Sequence, residues 1–274
     1  MKGVHVACVQ YAPRVGDPQN VQRAEAAIAS GAMQGADVIV LPELCTSGYV
    51  FTGLDEARAL AWRADDVRFD GWARAAGSAI VVGGFVEQDD NGGLYNSAAV
   101  VDASGVRAVY RKVHLWDAEC EIFSPGDAAP PIVDTAFGPL GVLICYDLEF
   151  PEISRMLALA GALLLCVPAN WPREDRPAPL PVPMATLAMA TARFSRVFVA
   201  LCDRCGDERG VQFEGGSVIV GPEGIPLAGP APEYGPGTLH AACDLDLART
   251  KAWNARNDAF ADRRPEVYKG IGVR

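Results

Sequence analysis

The sequence has little positive charge. Its 274 residues include 24 lysines and arginines against 34 aspartates and glutamates, for a formal net charge of −10. Nucleic acids and anionic membrane surfaces are bound mainly by clustered basic side chains, and no basic block occurs here. We therefore expect neither nucleic acid nor a membrane as a partner. An acidic surface that keeps the protein in solution is the simplest interpretation of the charge.

The chain also lacks long apolar segments. The densest, residues 157–167, is too short to cross a bilayer and contains Gly161. The amino terminus has no long apolar core and no small-residue cleavage site, and Val4–Gln10 is typical of a first strand rather than a signal peptide. We therefore expect a cytoplasmic protein.

Histidine is scarce, and the cysteines form no obvious metal set. Of the three histidines, His5 and His240 fall inside predicted strands, which leaves His114 as the sole plausible histidine base. The eight cysteines lie mostly in apolar, strand-like contexts, which favours buried reduced thiols. Cys202 and Cys205 form a C-x-x-C pair, but no second pair or nearby histidine completes a metal or redox site.

The pattern of elements predicts one α/β domain over residues 1–274. Half of the residues are hydrophobic, enough to bury a large core. Strand–helix–strand patterns alternate with hairpin signals such as Asp-Asp-Asn-Gly-Gly at 89–93, and residues 54–76 tend to be helical. This mixture predicts two mixed sheets covered by helices, without a linker or an internal sequence repeat. Residues 254–274 are either an arm that docks on a partner subunit or a frayed end.

The most informative segment is Gly-Val-Leu-Ile-Cys-Tyr-Asp-Leu-Glu-Phe-Pro-Glu at 141–152. It predicts a buried strand over 140–145, a sharp polar turn, and a helix that begins at Pro151. Backbone N–H groups converge at such a corner, where they lower the pKa of a thiol and stabilise an oxyanion. Cys145 is therefore a candidate nucleophile. The alternative is a small hydrophobic side chain buried at a strand end.

Charged residues follow other predicted strands. Glu43 lies just beyond an apolar strand, where the active-site residues of α/β folds collect. Lys112 lies between apolar neighbours and needs a partner, because an unpaired buried charge is costly. Glu119 follows seven residues later.

A base and a cation could together support a cysteine nucleophile. A thiol with a pKa near ~8.5 is little ionised at pH 7, so a nucleophilic cysteine needs a base or a positive neighbour. His114 is one candidate base, and a carboxylate tuned by burial is the other. A lysine beside the thiol would favour the thiolate and then neutralise the oxyanion of a tetrahedral intermediate.

The Glu, Lys and Cys set resembles the nitrilase superfamily of carbon–nitrogen hydrolases over nearly the whole chain. The matching motifs are Leu-Pro-Glu at 41–43 with Gly-Tyr at 48–49, Tyr-Arg-Lys-Val-His-Leu at 110–115, Phe-Ser-Pro-Gly-Asp at 123–127, Cys-Tyr-Asp at 145–147 with Phe-Pro-Glu at 150–152, Gly-Ser at 216–217, Gly-Pro-Glu-Gly at 221–224 and Asp-Arg-Arg-Pro-Glu at 262–266. Each motif is short, but the set in this order is highly specific.

The resemblance implies a four-layer α-β-β-α sandwich that pairs through its helices into a homodimer, or a higher homo-oligomer, with the tail reaching across the partner. It implies Glu43 as general base, Lys112 as oxyanion stabiliser and Cys145 as nucleophile. It also implies a second glutamate near Lys112, for which Glu119 matches better than Glu121. The backbone N–H of Tyr146 would complete the oxyanion hole. No metal or organic cofactor is needed.

Within the family, Cys-Tyr-Asp followed by Phe-Pro-Glu is most similar to amidases acting on small aliphatic primary amides. Nitrile-cleaving members more often have Cys-Trp-Glu there, and carbamoyl hydrolases usually differ after the cysteine. A nitrilase, an N-carbamoyl amide hydrolase, an acyl transferase and a non-catalytic binding protein on this fold are the alternatives. The candidate substrate contacts are Tyr49, Trp116, Tyr146, Asn170 and Trp171.

One stretch departs from the family pattern. Many relatives carry Arg-Ala-x-Glu-Asn before a later strand, whereas this chain has Thr-Ala-Arg-Phe-Ser at 191–195. The polar support that the Glu-Asn pair supplies is missing. The difference concerns local loop anchoring and pocket shape, but not the covalent chemistry.

Overall fold

The computed structural model describes residues 3–174 and 182–268. In these residues the strands are β1 Val4–Gln10, β2 Val38–Val40, β3 Ile80–Gln88, β4 Leu94–Asp102, β5 Gly105–Arg111, β6 Ile132–Thr135, β7 Gly138–Val142, β8 Leu164–Ala169, β9 Phe198–Asp203, β10 Cys205–Glu208, β11 Val211–Glu214, β12 Val218–Val220, β13 Pro226–Ala228 and β14 Gly237–Cys243. The α-helices are α1 Asn20–Met33, α2 Leu54–Ala59, α3 Phe69–Ala76, α4 Glu119–Ile122, α5 Pro151–Leu159, α6 Pro183–Ser195 and α7 Pro265–Tyr268. Short 3-10 turns cover Cys145–Glu149 and Leu245–Ala248.

Two six-stranded sheets share one internal pattern. The first has the order β14-β1-β2-β3-β4-β5, and the second has the order β6-β7-β8-β9-β12-β13. Each contains three adjacent parallel strands, β1 to β3 in one sheet and β7 to β9 in the other. The outer strands pair antiparallel in both. The two sheets thus share one order of strand pairings, although the sequence shows no repeat and β14, in the first sheet, follows all strands of the second sheet along the chain.

The sheets pack face to face, and helices cover their outer faces. Helices α1 and α3 pack on the first sheet, and α5 and α6 pack on the second. The larger core includes apolar side chains of both sheets together with those of α5 and α6. A second cluster lies between the first sheet and its helices, around Trp62, Trp72 and Phe85. This arrangement confirms the predicted four-layer α-β-β-α sandwich.

Two local predictions were wrong in detail, and several elements were not predicted. The helical segment expected over 54–76 is two helices, because Trp62 between them bonds through its backbone to Val86 and Gln88 of β3. The strand expected to reach Cys145 ends at Val142. Elements that were not predicted include the β10–β11 hairpin, the short edge strand β13 and the short helices α4 and α7.

The carboxyl-terminal segment is described only in part. All four residues of helix α7 are exposed. Residues 269–274 of the predicted arm lie outside the described residues. Phe260 packs against the larger core, and the cations of Arg155 and Lys251 lie over its ring. No helix in the described ranges is long and apolar enough to span a bilayer.

Candidate active site

Lys112 lies between two buried carboxylates. Its Nζ is 2.7 Å from Oε1 of Glu43 and 2.8 Å from Oε1 of Glu119. Lys112 and Glu43 are 0 % exposed, and Asn96 donates from Nδ2 to the same Glu43 oxygen at 2.7 Å. An ammonium group has three donors, so one N–H of Lys112 has no partner within the described residues. That donor is available to an incoming acceptor.

Glu119, rather than Glu121, is the second carboxylate at the lysine. Tyr49 donates its hydroxyl to Oε1 of Glu119 at 2.5 Å, and the backbone N–H of Trp116 donates to Oε2 at 3.3 Å. Burial, with the charges of Glu119 and Glu43 adding to it, raises the pKa of Tyr49, so this hydroxyl stays protonated and donates. Glu121 lies on the same turn of helix and is exposed.

A glycine in β3 fixes the backbone that carries Glu43. Leu44 has a left-handed backbone with φ of 46°, and the N–H of Cys45 donates to the carbonyl of Gly84 at 2.9 Å. A Cβ on Gly84 would lie 2.2 Å from the nitrogen of Leu44 and 2.6 Å from the Cα of Glu43. Only glycine permits this close approach. The carboxylate is therefore held by backbone packing as well as by its ion pair.

Cys145 begins a 3-10 turn with a left-handed backbone, at φ of 46°. This conformation is uncommon for a residue other than glycine, and it persists only where the surrounding structure imposes it. Asp147 supplies part of that constraint, because its Oδ2 accepts the N–H of Ile144 at 3.0 Å and the hydroxyl of Tyr110 at 2.8 Å. The bond to Ile144 also explains why the preceding strand ends early.

Asp147 also binds His114, which the sequence left open as a base. Oδ1 of Asp147 accepts the backbone N–H of His114 at 3.1 Å and lies 2.8 Å from its Nδ1. The imidazole stacks on Phe150 with ring centroids 3.7 Å apart. His114 does not line the cavity beside Cys145. The geometry therefore places this histidine in a network that ties the cysteine turn to the lysine segment.

Burial dominates the protonation of the site. It raises the pKa of the Cys145 thiol well above its usual range, and the charge of Glu43 adds to the effect, while Lys112 and the backbone N–H of Asn170 oppose it. Burial also raises the pKa of Glu43 to about 7, against the opposing charge of Lys112. For Lys112, burial alone would lower the pKa, but Glu119 and Glu43 outweigh it and raise the pKa. The site thus combines a neutral thiol, a fixed cation and a carboxyl group that titrates near neutral pH.

A cavity of about 380 Å³ lies over Cys145. All five candidate contacts from the sequence line it: Tyr49, Trp116, Tyr146, Asn170 and Trp171. The sequence missed Phe51, Ile122, Phe123 and Val211, which also line the cavity. Apolar residues in loops and short elements carry no chemical signal that distinguishes them from ordinary packing.

Several polar atoms near the cavity have no partner in the described part of the chain. They are both side-chain polar atoms of Asn170 and Oε2 of Glu43. A buried polar atom without a hydrogen bond is costly, so these atoms suit a ligand that carries both a donor and an acceptor. Oε2 of Glu43 is also the carboxylate oxygen left to exchange a proton, since Oε1 binds Lys112 and Asn96.

A second buried ion pair holds the loop that carries Tyr49. Arg204 donates from Nη1 to Oε2 of Glu208 at 2.6 Å, and both side chains are almost fully buried. Glu208 also accepts backbone N–H groups from Tyr49 and Val50 at 3.0 Å each and from Val15 at 2.5 Å. One carboxylate thereby joins two loops that are distant in sequence. Arg204 and Glu208 are only four residues apart, but the bonds from Glu208 to Tyr49 and Val15 span 159 and 193 residues and leave no local pattern in the sequence.

The two other features singled out in the sequence lie away from this chemistry. Cys202 and Cys205 are buried free thiols in β9 and β10. No group of three or more metal-binding side chains occurs in residues 3–174 and 182–268. Residues 191–195 complete helix α6, and none of them lines the cavity. The departure from the family pattern therefore lies outside the described lining of the cavity, and the expected effect on loop anchoring and pocket shape stays a prediction.

Comparison with known proteins identifies the family to which the chain belongs. The sequence profile of the Carbon-nitrogen hydrolase family matches residues 5–253. A nitrilase of Pyrococcus abyssi is 37% identical over 270 residues, 97% of this chain and 99% of that protein. An (R)-stereoselective amidase of Pseudomonas sp. is 34% identical over 263 residues, 94% of this chain and 91% of that protein.

A solved amidase from Nesterenkonia sp. AN1 is similar in structure. One structure is of a mutant that shows covalent addition of the acetamide moiety of fluoroacetamide at the active-site cysteine. It is 29% identical, with a TM-score of 0.81, and the match covers 98% of this chain and 97% of that one. A mutant of the same amidase in complex with butyramide has a TM-score of 0.79 at 29% identity, with the same coverage.

The first prediction concerns the pH dependence of the thiol. Since the pKa of Glu43 is about 7 and Cys145 is not ionised at that pH, alkylation of Cys145 by iodoacetamide should accelerate as pH rises through about 7, when Glu43 can take the thiol proton. Peptide mapping by mass spectrometry measures the rate at each pH, with the exposed Cys120 as internal reference. Glu43→Gln should remove the midpoint. A midpoint above pH 9 in the unmodified protein would contradict the coupling.

The second prediction concerns the buried pair under the Tyr49 loop. Glu208→Gln leaves the Arg204 cation buried without its counter-ion, so the free energy of unfolding should fall by about 3–5 kcal/mol. Glu56→Gln is the matched control, because Glu56 pairs with the neighbouring Arg209 on the surface. That change should cost at most about 1 kcal/mol. Urea unfolding followed by tryptophan fluorescence compares them, and equal losses would show that burial of the pair is unimportant.

Proposed function

The chain belongs to the carbon–nitrogen hydrolase family, and from this we propose that it hydrolyses a small aliphatic primary amide to the carboxylic acid and ammonia. The hydrolase uses Cys145 as nucleophile, with Glu43, Lys112 and Glu119 as the charged groups that support it. The observation that carries the proposal is the buried Glu43–Lys112–Glu119 cluster beside a cysteine that opens into a cavity.

In the first half of the reaction a thioester forms. The Cys145 sulfur attacks the amide carbonyl carbon while Glu43 takes the thiol proton. The third N–H of Lys112 and the backbone N–H of Tyr146 stabilise the oxyanion of the tetrahedral intermediate. The C–N bond then breaks, Glu43 passes its proton to the leaving nitrogen, and ammonia departs. The raised pKa of Glu43 suits this exchange, since a base that must also act as an acid works best near the operating pH.

In the second half water releases the acid. The water oxygen attacks the thioester carbon while Glu43 takes a proton from that water. A second oxyanion forms at the same donors and collapses with cleavage of the C–S bond. The proton on Glu43 returns to the thiolate, and the carboxylic acid leaves. Glu119 keeps Lys112 in place throughout, because Tyr49 and the backbone of Trp116 fix that carboxylate.

The contact residues have separate roles in this proposal. The carboxamide of Asn170, which has no partner among the described residues, binds the substrate amide, which offers the donor and the acceptor that this side chain needs. Tyr49, Trp116, Tyr146 and Trp171 surround the acyl chain.

A nitrilase or an N-carbamoyl amide hydrolase would use the same charged residues. The similarity to the nitrilase of Pyrococcus abyssi favours testing nitriles beside amides. An acyl transferase would pass the thioester acyl group to an amine in place of water. A non-catalytic binding protein is disfavoured by the intact Glu43, Lys112 and Cys145.

Ammonia release tests the proposed function. The substrates are short aliphatic amides, the matching nitriles and N-carbamoyl amino acids, run with the protein and with Cys145→Ala. We expect release from amides, with loss of at least about 10³-fold in the variant, because the nucleophile is removed while the cavity remains. Circular dichroism of the variant controls for folding. Release that persists in Cys145→Ala, or release from nitriles alone, would contradict the proposal.

We also propose a single domain over the whole chain, a cytoplasmic location and a homodimer. Eight free thiols support the reducing compartment. Exposed apolar side chains of α5 and α7 support an interface, because Met156, Leu159 and Tyr268 line one shallow groove.

Sedimentation equilibrium tests the dimer. We expect a dimer that dissociates more readily when Met156 and Leu159 are both changed to Asp, since charge on an apolar interface is costly. Met33→Asp, at an exposed position on α1, is the control that should leave the mass unchanged. A monomeric unmodified protein at micromolar concentration would contradict the arrangement.

A further inference from the structure

The cavity over Cys145 is lined mainly by apolar and aromatic side chains. Six of them come from five segments of the chain: Phe51, Trp116, Ile122, Phe123, Trp171 and Val211. The ring of Trp116 is 40 % exposed and meets the ring of Tyr146 edge to face at 4.8 Å. A ligand that covers this apolar surface removes it from water, which contributes favourably to binding. The lining therefore favours an apolar ligand.

The volume of the cavity exceeds what a short amide needs. Its 380 Å³ lies within the range of about 300–1,000 Å³ that is typical of pockets for drug-sized ligands. A four-carbon amide is much smaller than such a ligand and would leave part of the cavity unfilled. A branched or aryl-bearing acyl group would fill the remainder and contact the six apolar side chains. Each methylene buried in this way is worth about fourfold in affinity.

The described lining of the cavity carries more negative than positive charge. Asp117, Glu119 and Glu174 belong to it, against the single cation Arg173. Behind the wall Glu43 pairs with Lys112, so carboxyl groups still outnumber cations among the described residues. An acyl chain that ends in a carboxylate would meet repulsion from these carboxylates. Because Asp117 and Glu174 are exposed, added salt would screen that repulsion.

Arg173 is poorly placed to offset this charge. Its side chain is exposed, donates from Nη1 to Oε1 of Gln212 at 3.0 Å, and lies over the ring of Tyr234 at 5.2 Å. These contacts direct the guanidinium toward β11 and its neighbours. Glu174, by contrast, accepts the indole N–H of Trp171 at 3.2 Å in the cavity wall.

We propose that the substrate is a primary amide with an uncharged, bulky apolar acyl group, either branched or aryl-bearing. The inference rests on the proposed amide hydrolysis and extends it beyond short aliphatic chains. Trp116 selects for the apolar group by covering it, and Asp117 selects against an anionic chain end.

Two matched substrate pairs test the proposal through kcat/KM. Butyramide against 3-phenylpropanamide tests bulk, and pentanamide against 4-carbamoylbutanoate tests charge at equal chain length. We expect 3-phenylpropanamide to exceed butyramide by at least about 10-fold. We expect pentanamide to exceed the anionic amide by at least about 10-fold, with a ratio that shrinks as salt is added.

Variants assign the two preferences to their residues. Trp116→Ala should lower the ratio of 3-phenylpropanamide to butyramide, and Asp117→Asn should lower the ratio of pentanamide to 4-carbamoylbutanoate. Trp253→Ala is the matched control, since Trp253 is 36 % exposed and lies outside the cavity. It should leave both ratios unchanged.

The outcomes separate this inference from the proposed function. If butyramide or 4-carbamoylbutanoate is hydrolysed as well as its partner or better, the inference is overturned while amide hydrolysis stands. Ammonia from none of the four amides overturns both. Ratios that follow the expected order but change equally in all three variants would overturn the assignment to Trp116 and Asp117.

Discussion

The burial of one lysine between two glutamates is the interaction on which the rest of the site depends. A charge removed from water is stable only when it is paired, and here Glu43 and Glu119 share the single ammonium of Lys112. The negative excess is relieved at Glu43, where burial raises the pKa to about 7. The same burial keeps the Cys145 thiol neutral until a base takes its proton. The packing thus gives Glu43 a carboxyl group that can bind or release a proton near neutral pH.

The scaffold delivers these groups from distant parts of the chain. Glu43 follows a central parallel strand of one sheet, whereas Cys145 and Asn170 follow central parallel strands of the other. Because both sheets have the same internal order and pack face to face, two equivalent strand edges supply one site. Asp147 and Glu208 then lock the connecting segments, one beneath the cysteine turn and one beneath the Tyr49 loop. The buried carboxylates of Asp147 and Glu208 therefore both stabilise the fold and position the site.

The sequence allowed some of this to be predicted and not the rest. Glu43, Lys112 and Cys145 were found because a charge or a thiol directly after an apolar strand is locally conspicuous, and the family resemblance supplied their proposed roles. The choice of Glu119 over Glu121 depends on which side of the short helix α4 faces Lys112, which the motif alone does not fix. The bond from Val15 to Glu208 spans 193 residues and leaves no pattern in the sequence. Tertiary packing alone brings such pairs together.

A common acyl-enzyme is the central claim, and partitioning of that intermediate tests it most directly. Butyramide and a butyrate ester would be turned over in the presence of hydroxylamine, and the ratio of hydroxamate to acid would be measured for each. If both substrates pass through the same thioester on Cys145, the ratio is identical whatever the leaving group, and Cys145→Ala forms neither product. Ratios that differ between the two substrates, or turnover that yields no hydroxamate at all, would contradict the covalent account.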